Sequence, residues 1–199
     1  MYEVLKPNKE ILQELDDLLE IDVPEQIHIK KLLQLLNHPT HSQYFFTRLS
    51  SSKWFDLLEK RNLFSEPEAE SIEGFLMISI WPPVNYLIRI SHLIPEKVFN
   101  VIKNLENTKN YRIFRPLFEC LYNMPVKISQ NALPIIEKWI KYYSSIQEYV
   151  ILKKMVNKFI LEEELDVAYN LIKIIFSTEE PAIKVENRNI DYKFHFFTL

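Results

Sequence analysis

Glycine is nearly missing from this chain: there is one, Gly74, in 199 residues. Phosphate-cradling loops and the sharp strand-to-helix elbow of the common serine hydrolases need several glycines at fixed spacing, for positive φ and for close backbone approach. One glycine holds none of these motifs, and it also argues against a many-stranded sandwich built on tight hairpins. Cysteine is equally scarce. Cys120 stands alone, so no internal disulfide forms, which fits a reducing, cytoplasmic setting. No apolar run approaches the length needed to span a bilayer, and the N-terminal MYEVLKPNKEILQELDD has no apolar core of a secretory signal. A net charge of −3 exerts no global pull on nucleic acid or anionic lipid.

What is present is an apolar content of 47% beside 26% charge, the balance of a folded protein with a sizeable core. The apolar residues recur at helical spacing. Lys9–Glu20 carries Ile11, Leu12, Leu15, Leu18 and Leu19 on one face, and Gln26–Asn37 follows with a broader face. Ser42 is placed to cap a helix over Gln43–Leu49, and Ser51-Ser52 to cap Lys53–Asn62. After an acidic stretch, Phe75–Trp81 fits strand, extended chain or helix. Further helices are predicted over Val84–Ile94, Glu96–Leu105, Asn110–Asn123, Val126–Tyr142, Ile146–Leu161 and Glu164–Phe176. Pro116 and Pro134 fall inside two of them and predict kinks rather than breaks.

Two stretches share a shape. Pro95-Glu96-Lys97-Val98 and Pro125-Val126-Lys127-Ile128 each follow an apolar helical run, and looser copies centre on Lys53-Trp54 and Asp166-Val167. Equating Trp54, Val98, Ile128 and Val167 gives uneven steps of roughly 30 to 45 residues, two helices each. On these residues the chain resembles HEAT-like α-solenoids. The Lys97–Asn123 helix pair looks like one repeat, and Pro134 is similar to the proline often found in the first helix of such repeats. Tyr44–Phe64 followed by Trp81–Ser91 is similar to repeat regions of large bacterial proteins of poorly defined role. The resemblance covers about residues 42–177 and implies an all-α, right-handed α-α superhelix of about four helix pairs. The expected organisation is a helical repeat domain over 1–177, with N-terminal helices in 1–41 and an acidic loop and extended insert in 65–81. An irregular tail follows over 178–199. Its Tyr192, Phe194 and Phe196 alternate as in a strand until Phe197 breaks the pattern. Its apolar end, where a solenoid normally has a polar cap, implies that it folds back over the last repeat, pairs with another molecule or, the favoured reading, belongs to a longer chain.

Candidate chemistry is sparse. Cys120 reads as a small buried hydrophobe. His38 and His41, three apart, are too few to hold zinc alone and read as loop or cap residues. His28 and His92 stand singly on apolar helices. The run Glu162-Glu163-Glu164 is expected to end one helix and begin the next. Trp54 and Trp139 read as core, whereas Trp81, ahead of Pro82-Pro83, is expected to show an exposed ring. No catalytic set, metal site or cofactor motif emerges, so no enzyme activity and no cofactor are expected.

One asymmetry remains. In such a solenoid the second helix of each pair lines the concave side, and here those helices carry Arg89, Arg112, Arg115, Lys153, Lys154 and Lys158. The expectation is a non-catalytic protein-binding scaffold with a weakly basic concave face for a protein or acidic peptide. The alternative is a nucleic-acid-binding module gripping phosphates through the same face. No membrane partner is expected.

Overall fold

The computed structural model describes residues 9–66, 70–72, 75–77 and 80–177, so the tail expected over 178–199 lies outside the described residues. The described chain is helical apart from one short hairpin. It divides into two compact units, one holding α1–α5 and the other holding the hairpin with α6–α11.

In the first unit α1 spans Lys9–Leu19 and α2 Gln26–Leu35, with Asp22-Val23-Pro24 between them. α3 spans Pro39–Arg48, four residues earlier than the serine-capped start predicted, because His38 supplies the cap: its Nδ1 accepts from the Thr40 amide. A 3-10 turn over Ser52–Trp54 leads into α4, Phe55–Glu59. The Ser51 hydroxyl does not cap this turn, since it donates to the Asp22 carbonyl instead. α5 is Pro83–Ile90, opened by proline as predicted but four residues shorter at its end. Packing runs between alternate elements: α3 lies on α1 and α5, and α2 lies on α4 as well as on α1. Leu15, Ile29, Phe45, Trp54, Tyr86 and Ile90 are fully buried in this core.

The hairpin resolves the ambiguous apolar run: β2, Phe75–Met77, pairs antiparallel with β1, Glu70–Ile72, placing Ser71 opposite Leu76.

In the second unit α6 is Pro95–Asn104. A 3-10 turn over Tyr111–Ile113 precedes α7, Phe114–Asn123. The long helix predicted from Val126 is interrupted. α8 covers only Val126–Ser129, a 3-10 turn takes Gln130–Ala132, and α9 runs Leu133–Tyr142. Neither proline therefore lies in a helix interior. Pro116 is the third residue of α7 and Pro134 the second of α9, where amides have no intrahelical acceptor to lose. The break at Pro134 releases carbonyls that side chains recover: the Asn131 amide donates to both Lys127 and Ile128 at 3.2 Å. α10, Ile146–Leu161, matches its prediction and starts at a Ser145/Glu148 capping box. α11 is Leu165–Ser177. α10 packs between α7 and α11, α11 also on α9, and α6 on α7 and α8.

With glycine nearly absent, left-handed turns fall to other residues. Asn62 (φ 55°) follows α4 and Glu163 (φ 64°) follows α10. Each sits in a Schellman turn, with Leu63 N donating to Leu58 O and Glu164 N to Phe159 O. The acidic run 162–164 thus separates two helices as the sequence suggested.

Candidate functional site: the cleft between α7 and α10

The six cations singled out by sequence meet different fates. Arg89, on α5, turns into its own unit, where Nε donates to the Leu49 carbonyl at 2.9 Å and Nη2 to that of Phe46. It thereby closes the C-terminal end of α3, whose carbonyls have no partner within the helix. Partial burial lowers its pKa, and the Tyr86 phenol opposes that shift. Lys158 does the same for α7, its Nζ donating to Tyr122 O at 2.8 Å and Met124 O at 2.5 Å, with a looser 3.8 Å contact to Glu162. Both act as C-terminal caps. Arg112 lies exposed in the 3-10 turn ahead of α7, and Lys153 is half-buried on α10.

Arg115 and Lys154 do come together. With Glu119 from α7 and Gln147, Val150 and Ile151 from α10 they line an open cleft of about 210 Å³. Arg115 is held in place there, Nε against the Glu119 carboxylate at 3.3 Å and Nη1 donating to Gln147 Oε1 at 3.1 Å. Lys154 is exposed and, among the described residues, makes no ion pair. Val150 adds an exposed apolar edge, while Ile151 forms a buried floor. The cleft is smaller than the roughly 300–1,000 Å³ of drug-sized ligand sites, so it suits one side chain of a partner better than a small molecule. Gln147 and Val150 carried no sequence signal of this role, because only the packing of α10 on α7 sets them beside Arg115.

Other candidates settle into structural roles. Cys120 is fully buried on α7. Burial pushes its thiol far above the ordinary range and the Glu119 carboxylate adds to this, so no thiolate nucleophile is available. His41 is buried, with Nδ1 3.0 Å from the Leu35 carbonyl, and His38 is the cap of α3. Trp81 is 3% exposed, against the exposed ring expected. Its indole N–H donates to the Ser65 carbonyl at 3.0 Å, which meets the polar requirement that would otherwise keep the ring at the surface.

A feature missed in the sequence recurs once in each unit. Trp54 donates to the Ile21 carbonyl while its neighbour Lys53 bonds the Asp22 side chain. Trp139 donates to the Glu106 carbonyl while Lys138 bonds the Asn107 side chain. The indole bond spans 33 residues and the lysine bond 31 in both cases. Each Lys-Trp pair thus clamps the chain just past an earlier helix, and the repeated dipeptide was its only sequence trace.

No protein-family model, curated protein or solved structure matches this chain. Among the described residues no helix is long and apolar enough to cross a membrane.

Proposed function

We propose that this chain is a non-catalytic protein-binding scaffold of HEAT-like helical repeats, and that its binding point is the α7–α10 cleft, which receives an acidic side chain of a partner peptide. Support for the repeat reading comes from alternate-element packing in the first unit, α1 on α3, α3 on α5 and α2 on α4, and from the Lys-Trp clamp recurring at identical internal spacing. That spacing sets Trp54 in register with Trp139 rather than with Val98, Ile128 and Val167. The binding reading rests on one observation: Arg115, already fixed by Glu119 and Gln147, stands with exposed Lys154 beside exposed Val150. A cation held before the partner arrives costs less side-chain entropy on binding than a free one. The right-handed superhelix and the concave position of the cleft are part of the proposal.

The test is fluorescence anisotropy of a labelled peptide alternating Glu and Leu. Arg115→Glu with Lys154→Glu should weaken binding at least about tenfold, since a like charge replaces an attractive one at each position. Lys103→Glu, an exposed change on α6, serves as control and should leave it intact. Equal binding by the reversed and parent proteins sinks the proposal. Binding of duplex DNA with steep salt dependence, and not of the peptide, transfers the cleft to phosphate recognition.

A further inference from the structure

α7 and α10 lie side by side and run in the same direction, with Arg115 beside Gln147 near their starts and Tyr122 beside Lys158 near their ends. Their pairing keeps a fixed offset. Tyr111 meets Tyr143, Arg115 meets Gln147, and Glu119 lines the cleft with Ile151, each pair 32 residues apart. The first rung lies just ahead of both helices, with Tyr111 in the 3-10 turn before α7 and Tyr143 closing α9. There the rings stack, 4.3 Å between centres and 26° between planes, which fixes the half-buried Tyr111 ring in place. Four residues on, Arg115 is fixed in the same way by Glu119 and Gln147. Ile146 and Val150 are 41% and 52% exposed, each precedes a rung residue, and four apart they share one face of α10. The seam thus offers a held ring, a held cation and an apolar edge.

We propose that this seam binds an extended peptide with an apolar residue two positions from its acidic residue, the acid on Arg115 and Lys154 and the apolar side chain on Tyr111. The proposal rests on the reading of the α7–α10 cleft as a peptide-binding point, and adds what the partner presents beside its carboxylate. Spacing sets the two positions. The rise from Tyr111 to Arg115, part 3-10 and part α, is about 6–8 Å. An extended chain covers that in about two residues, and residues two apart point to the same side. An apolar residue next to the acid would point away from Tyr111. Charge favours a carboxylate, because Arg115 and Lys154 against Glu119 leave the cleft net positive. With Tyr111 and Arg115 both held beforehand, little ordering cost falls on the protein when the peptide arrives.

The experiment is fluorescence anisotropy on the full chain with two labelled peptides of identical composition, each flanked by Gly-Ser. One has Leu-Ser-Glu-Ser-Leu at its centre and the other Ser-Leu-Glu-Leu-Ser, and both cores read the same in either direction. The parent should bind the first about tenfold more tightly, as expected for one apolar anchor. Tyr111→Ala should abolish that preference, with circular dichroism and thermal melting to confirm folding. The comparison on the parent needs no variant, so it decides even where Tyr111→Ala fails to fold. Equal affinities for the two peptides overturn this inference, and the cleft reading stands if Arg115→Glu with Lys154→Glu still weakens both. A preference kept by a folded Tyr111→Ala overturns the role of Tyr111. Binding of neither peptide overturns both readings, and capture instead of a single-stranded oligonucleotide, lost in Tyr111→Ala, transfers the seam to base stacking.

Discussion

The two units solve the same problem with different side chains. In the first, Trp54 meets Phe45 edge-on (5.5 Å between ring centres, 74° between planes), Lys53 pairs with a carboxylate, and an arginine caps α3. In the second, Trp139 stacks flat on Phe114 (5.1 Å, 8°), Lys138 bonds an uncharged amide, and a lysine caps α7. What is held constant is the donor at the helix end. The aromatic packing around it and the charge of its acceptor are free to change. Carbonyls past the last helical turn must find donors when buried, whereas rings fill a core in several orientations. The same contrast appears where a left-handed residue is required: the first unit uses Asn62, whose short side chain tolerates that region, and the second uses Glu163, which does not.

Truncating the clamps should have the largest effect. Trp54→Ala and Trp139→Ala each should cost about 3–5 kcal/mol by chemical denaturation, through lost burial and the cavity left behind. Hydrogen exchange read separately over 9–66 and 91–177 checks locality, and a clamp that is only local should loosen its own unit first.

The caps come next. Arg89→Met and Lys158→Met keep much of the apolar stem but leave two helix-end carbonyls without their donor, at a cost of about 1–3 kcal/mol each. Equal losses would show that the charge type is immaterial to the cap. A clearly larger loss for Arg89 would credit its planar fork.

Alkaline pH separates the units by a different route. Burial raises the Tyr86 phenol above its ordinary 10.0 in the first unit and the Cys120 thiol above its ordinary 9.0 in the second. The folded state keeps protons that the unfolded chain releases, so stability is fully present below these ordinary values and is lost as pH rises. The decline should begin near pH 9 with Cys120 and steepen near pH 10 with Tyr86, at about 1.4 kcal/mol per pH unit for each proton retained. Urea titrations at increasing pH measure the slope, and Cys120→Ala should remove its first part at the expense of lower stability throughout.

The smallest effect is a gain. Glu163→Gly should raise stability by about 0.5–1 kcal/mol, as glycine adopts positive φ without strain, whereas Asn62→Gly should change it by less. Matched thermal melts of the two variants decide whether the left-handed turn after α10 is strained.

Much of this arrangement is legible in the sequence. α10 was placed to the residue, because a serine with glutamate three positions on marks a helix start and the acidic run marks its end. The misreadings have specific causes. Pro134 inside a continuous apolar pattern predicts a kink in one helix, whereas a new helix begins just before the proline and Asn131 satisfies the carbonyls that the break exposes. Ser42 has the chemistry of a cap but lies inside α3, whose start is capped by a histidine beside a proline. Trp81 was expected at the surface, because no pattern in the sequence reveals a carbonyl acceptor sixteen residues earlier. For the cleft, the cations were visible but their sorting was not: Arg89 and Lys158 look no different in sequence from Arg115 and Lys154.

The sequence by itself determined that this chain is helical, where most of its helices run, and that one glycine and one cysteine leave it without a glycine-rich phosphate loop or an internal disulfide. Those properties follow from local periodicity and backbone sterics, which act between residues a few positions apart. Tertiary structure alone decided which cations cap helix ends and which line the cleft, and which aromatic N–H groups meet a carbonyl. Each outcome depends on a backbone group or side chain from a distant segment, placed by packing in three dimensions.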